Sequence, residues 1–170
     1  MMLRRLSFAL CFAVLAQTGT AQDNGGTVAF ATNDPVMGAA IQQARETLPL
    51  FLCASVDDEG YGPQGAFLKV AVPVNDPRMD DEVIWVGPFA AWDGKNFAGL
   101  LANQLVAMPG LNMGDQIDFT YDMIADWSWA HPSGAFYGDY TTRVIYRQQG
   151  DLGALSALTD PPYDTRWNCK

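Results

Sequence analysis

Two hydrophobic periods divide this chain. Between Asp34 and Leu48 the apolar residues Met37, Ala40, Ile41, Ala44 and Leu48 recur at spacings of three and four, with Gln42, Gln43, Arg45 and Glu46 on the other side. That is the pattern of a helix with one buried stripe and one wet one. Asp34 is placed to cap it, and Pro35 to fill the first helical position, where a missing N–H costs nothing. Pro49 lacks a donor inside the run. It predicts a break there and a second short turn over Leu50 to Ala54 that carries Phe51, Leu52 and Cys53 inward. Val56 to Gln64 is acidic and Gly-rich and reads as a connection. Its Asp57, Asp58 and Glu59 lack the spaced oxygen ligands of a calcium loop and read as a solvated turn.

From Ala66 onward the period becomes two. Ala66, Leu68, Val70 and Val72 oppose Phe67, Lys69 and Ala71 in a strand that runs to Val74, with Pro73 placing its end at an edge. After an acidic loop, a second strand spans Glu82 to Trp92 and is bent by Gly87-Pro88. Asp93-Gly94 is a hairpin signal and returns a third strand, Asn96 to Ala102. The apolar loop Gln104 to Asn112 reads as a plug for one end of the sheet. A fourth strand follows over Gln116 to Thr120. The stretch Asp126 to Arg147 reads as an aromatic-rich hairpin around His131-Pro132-Ser133-Gly134. Trp127 and Trp129 share a face of its first arm. On its second arm Tyr140, Thr142, Val144 and Tyr146 oppose Thr141, Arg143, Ile145 and Arg147. The expected fold is α+β, an N-terminal helix packed on a twisted antiparallel sheet of five to six strands in meander order. A small closed β-barrel is the runner-up.

The chain begins with an address label. Arg4 and Arg5 precede an uncharged, largely apolar run from Leu6 to Ala16, and Gly19-Thr20-Ala21 offers the small residues of a cleavage site. This pattern predicts a signal peptide over residues 1–21 and a periplasmic or secreted product. The run is too short for a spanning helix, which needs about 20 apolar residues, so no membrane insertion is expected after cleavage. Residues 22–32 read as a linker, 33–147 as the domain and 148–170 as a C-terminal extension. Cleavage changes the charge: 10 Lys and Arg less Arg4 and Arg5 leaves 8, against 19 Asp and Glu, for a net −11. Such an acidic chain is not built for nucleic acid or anionic membrane surfaces. Cys11 leaves with the leader, and the remaining pair, Cys53 and Cys169, is expected to form a disulfide in an oxidising compartment.

The ordered set NDP, ARETLPLF, a strand with an internal Lys, a Trp-bearing strand, FAGLLAN, MGDQIDF, DWSW and GDYTTRVIYR resembles the YegJ-like family, small bacterial domains of unknown function (domain of unknown function 2314). The resemblance runs from about Asn33 to Arg147. It departs where the family pattern has an acidic residue and Pro and this chain has Gln104 and Leu105. It implies a fold and supplies no activity, cofactor or catalytic residue.

Candidate chemistry is sparse. One His excludes a multi-histidine metal site, and no Gly-x-Ser-x-Gly elbow, phosphate loop or Cys-x-x-Cys occurs. No metal and no cofactor is expected. The reading is a non-enzymatic binding or accessory protein of the bacterial envelope, recognising a protein, peptide or glycan. Its candidate binding residues are Trp127, Trp129, Tyr137, Tyr140 and Arg143, because aromatic and Arg side chains anchor interfaces. The alternative is a small hydrolase built on His131, with Asp126, Ser128 and Ser133 nearby in sequence. Arg143 is expected to pair with Asp126 or Asp118 on a neighbouring strand.

Overall fold

The computed structural model describes residues 34–162. The leader, the linker and Cys169 lie outside the described residues. Helix α1 spans Pro35–Ser55, and Asp34 caps it as expected: its Oδ1 accepts from the Val36 N–H at 2.8 Å and the Met37 N–H at 3.4 Å. The break expected at Pro49 does not occur. Met37, Ala40, Ala44, Leu48 and Phe51 form one buried stripe that runs across the proline. Packing on both sides holds the turn that local propensity would interrupt. Phe51 points inward, whereas Cys53 faces out, because two residues further along a helix is close to the opposite side.

Seven strands make one open sheet in the order β4-β3-β2-β1-β5-β6-β7. Strands β1 (Ala66–Asp76), β2 (Met79–Ala91), β3 (Asn96–Leu101) and β4 (Gln116–Thr120) form an antiparallel meander. After a 3-10 turn at Tyr121–Met123, β5 (Ile124–Ala130) returns to the free side of β1, so β1 becomes central and the order is not a simple meander. The sheet does not close into a barrel. β6 (Phe136–Gly138) pairs antiparallel with β5, and β7 (Leu158–Thr159) runs parallel to β6.

The second arm of the expected hairpin is the main correction. Only Phe136–Gly138 pairs as strand; Tyr140–Gln149 is a helix, α2. Its β-branched and aromatic residues favour extended structure, yet Tyr140 and Val144, four apart, bury against the core as only a helical turn allows. Gly138, with φ +84°, turns the chain out of β6. A Cβ there would lie 2.2 Å from the Trp127 carbonyl oxygen, so no other residue fits. Asp139 follows in the left-handed region at φ 56°, and Gly150 ends α2 in the same conformation. A short helix α3, Leu152–Ala157, leads into β7.

Trp127, Trp129, Leu68 and Phe89 face α1. Phe51 stacks on Trp127, with ring centroids 4.5 Å apart and planes within 9°, and the Trp127 indole N–H donates to Thr47 Oγ1 at 3.0 Å. The loop after β3 does close one end of the sheet. Leu105, Met108 and Leu111 pack on the core, and the wholly buried Glu82 carboxylate accepts the Val106 and Ala107 N–H groups at 2.6 and 2.7 Å. Because Phe51 is fully buried in an aromatic contact, Phe51→Ala should destabilise the fold by about 3–5 kcal/mol. Urea denaturation measures this, and a loss under about 1 kcal/mol would mean that the helix-to-sheet contact is dispensable.

Candidate functional site

On the sheet face away from α1, the central strand places Lys69 opposite Trp85 of β2 and Asp126 of β5. Lys69 is only 6% exposed. Its ammonium donates to Thr141 Oγ1 at 2.7 Å and lies 4.4 Å from the centre of the Trp85 ring. Asp126 sits where the register of β1 and β5 shifts, and it caps α2 from outside that helix. Its Oδ2 accepts from the Thr141 N–H at 2.8 Å and hydroxyl at 2.6 Å; its Oδ1 accepts from the Trp127 N–H at 2.8 Å and the Tyr140 N–H at 3.3 Å. A carboxylate at a helix N-terminus takes up unpaired N–H groups and lies at the positive end of the dipole. Beside it, the Asp139 carboxylate accepts from the Ser128 hydroxyl at 2.5 Å and the Thr142 hydroxyl at 3.1 Å.

Burial governs the electrostatics. It lifts the Asp126 carboxyl to about 6, against the opposing pull of Lys69 and of the Thr141 and Trp127 donors. It raises Asp139, which Ser128 and Thr142 partly restrain, and lowers the Lys69 ammonium, which Asp126 and Asp139 partly restore. These groups satisfy one another, and Thr141, the hydroxyl nearest the lysine, is completely buried. The cluster can fasten α2 to the sheet; it presents no nucleophile to a substrate. Sequence reading gave Asp126 and Arg143 a role as a charge pair and assigned none to Lys69, Thr141 or Asp139. The available signal was a lysine in the middle of the apolar strand AFLKVAV.

Arg143 does not pair with Asp126 or Asp118. Asp126 is occupied at the α2 N-terminus, and Asp118 lies on β4, at the far edge of the sheet. Arg143 donates instead from Nε to the Gly138 carbonyl at 3.0 Å, from Nη2 to the Thr159 carbonyl at 2.8 Å, and from Nη1 to Asp160. Its guanidinium carbon sits 4.9 Å from the centre of the Tyr140 ring.

The other sequence candidates separate as well. Trp127, Trp129 and Tyr140 are core residues, at most 8% exposed, and Tyr137 is half-buried; they form no solvent-facing platform. His131, at the β5–β6 tip, lies within 2.7 Å of Ser133 Oγ and packs edge-on against Trp129 and Tyr137. Asp126 and Ser128 do not join it, since their oxygens are engaged at α2 and at Asp139. Among the described residues no group of three or more His, Cys, Asp or Glu is placed to hold a metal ion, and no helix is long and apolar enough to cross a membrane.

Three aromatics are exposed among the described residues, Tyr61, Trp92 and Phe136, and Trp92, 62% accessible at the β2–β3 turn, is the tryptophan among them. It separates two grooves of about 370 and 460 Å³, both floored by Phe97 and bordered by Asp93. Asp57, Asp58 and Glu59 rim the first and Asp118 the second, and among the described residues no cation lines either.

The Asp126 shift has a signed consequence. The carboxyl titrates near 3.8 in the unfolded chain and near 6 in the fold, so between those values the fold holds the extra proton. Its contribution to stability is therefore largest below about pH 4 and declines as pH rises through 6, by on the order of 3 kcal/mol. Urea denaturation of the wild type and Asp126→Asn across that range should show their stability difference moving against the wild type as pH rises. A difference that stays flat would show that the carboxyl titrates normally.

Comparison with known proteins adds one relationship. No curated protein and no solved structure matches the chain. Residues 34–152, which hold α1, the first six strands and α2, match a family described as an uncharacterized protein conserved in bacteria. The chain belongs to that family, DUF2314.

Proposed function

We propose that this is an exported, non-enzymatic binding module of the bacterial envelope, and that it engages a cationic segment of a partner protein through Trp92 and its two grooves. Trp92 carries the reading. A tryptophan more than half exposed sits between apolar-floored grooves whose charged rim residues, among the described residues, are acidic. An indole face flanked by carboxylates suits Lys and Arg side chains, which stack on the ring and pair with the rim. The acidic balance of the whole chain favours encounter with the same partners. The buried ionisable groups are consumed in holding the fold, so binding rather than turnover is what the surface supports. This moves the proposed contact away from the Trp127, Trp129, Tyr137, Tyr140 and Arg143 set.

Export follows from the leader pattern, and with it an oxidised pair of Cys53 and Cys169. Free-thiol titration of the unreduced, denatured mature protein should find essentially no thiol; two free thiols per chain would refute the pairing. Binding is tested with a Lys- and Arg-rich peptide, using a neutral oligosaccharide as the comparison ligand. The peptide should quench tryptophan fluorescence saturably at low salt, and Trp92→Ala should weaken it about tenfold or more with an unchanged melting curve. Equal peptide affinity in the variant would move the contact elsewhere, and saturable oligosaccharide binding would make the ligand a glycan.

A further inference from the structure

Arg143 is a buried group whose two Nη donors are met from outside the family domain. Its side chain is 11% exposed. Within the matched residues 34–152 it has the Gly138 carbonyl on Nε and the Tyr140 ring alongside its guanidinium. These hold the fork still and aim its two Nη groups past the edge of β6. Both acceptors there, the Thr159 carbonyl and the Asp160 carboxylate, come from beyond residue 152. A buried guanidinium left without them would be costly, so the position requires an occupant.

The occupant has the form of a docked peptide. β7 is two residues long and lies parallel on β6, with Phe136 against Leu158 and Tyr137 against Thr159. The Asp160 side chain is 57% exposed although its guanidinium partner is buried. Beyond Asp160 a cleft of about 280 Å³ continues between α1 and α2, with Arg147 as a second cation and Val36, Ala40 and Val144 as an apolar wall. Main-chain pairing at a sheet edge, a guanidinium that takes one main-chain carbonyl and one carboxylate of the added strand, and a neighbouring cleft suit strand-addition recognition.

We propose that the β6 edge, Arg143 and the α1–α2 cleft form a docking site for an extended peptide bearing a carboxylate, which residues 158–160 occupy in cis. The site is separate from the Trp92 face and selects the opposite charge. Displacing the internal segment exposes it to an acidic strand from another protein.

The test uses the full chain. Asp160→Arg places a like charge beside Arg143 and should release the segment, with folding verified by circular dichroism. The probe is an acetylated, amidated peptide copying Ala157 to Pro162. Its binding is followed by the NMR shift of the Arg143 Nε–H, with the Asn-for-Asp160 peptide as control. The Asp160→Arg chain should bind the acidic peptide about tenfold or more tightly than the wild type, and the Asn peptide should lose about as much. Equal affinity of the two chains, or of the two peptides, would overturn the proposal. Should Asp160→Arg misfold, Asp160→Asn gives the same comparison with a smaller perturbation, since it removes the charge and keeps the size of the side chain. A β7 that keeps its amide-exchange protection in that variant, with no peptide bound, would equally overturn it.

Discussion

The Asp126 carboxylate is the constraint on which the second half of the domain depends. Helix α2 starts on Asp139, whose side chain accepts from the Thr142 hydroxyl but from none of the helix's backbone N–H groups, and its first turn would otherwise bury unpaired N–H groups. Asp126 takes the N–H groups of Tyr140 and Thr141 from a neighbouring strand. Lys69 then joins through Thr141. Strand β1, strand β5 and helix α2 thus meet in one polar cluster, directly behind the Phe51–Trp127 stack on the other face of the sheet. Placing Tyr140 and Val144 against α1 follows from the cap, and the direction of α2 brings Arg143 to the β6 edge.

Buried charge in this protein is therefore architectural. Glu82 closes the loop after β3 over the core, Asp126 anchors α2, and Lys69 neutralises the carboxylates that burial would otherwise penalise. Each lies at a junction between elements, where backbone donors have no partner of their own. Groups committed in this way are held in place by their bonds, and catalysis would have to break them. Aromatic side chains face outward at the Trp92 turn and, through Phe136, at the margin of β6.

The two surfaces differ in how they are built. At the β2–β3 turn Asp93 Oδ1 accepts the Lys95 and Asn96 N–H groups, a local device that fixes the loop and leaves Trp92 projecting beside it. At the β6 margin, groups far apart in sequence converge: Gly138, Arg143 and Thr159 meet because the chain returns through α3 to lie on its own edge strand. Residues 153–162 are thus a structural part of the described chain, beyond the point where the family match ends.

Local signals alone specified much of this. The Asp34 cap, the alternation of β1 to β4 and the Asp93-Gly94 turn depend on neighbours within a few residues, and sequence carries that information directly. What depended on distant partners was not legible. Pro49 stays helical because Leu48 and Phe51 are packed on either side of it, and Tyr140 to Gln149 is helical because a carboxylate fourteen or fifteen residues earlier caps it. The same holds for the aromatic residues: composition supplies five Trp, while only the fold assigns Trp127 to the core and Trp92 to solvent. Arg143 lay among plausible carboxylates in the sequence, and its partner Asp160 was chosen by the path of the chain after α2. Residue pattern determined which segments are helix or strand wherever propensity and packing agreed. Tertiary structure decided the rest, because burial, capping and charge pairing are properties of the space between segments.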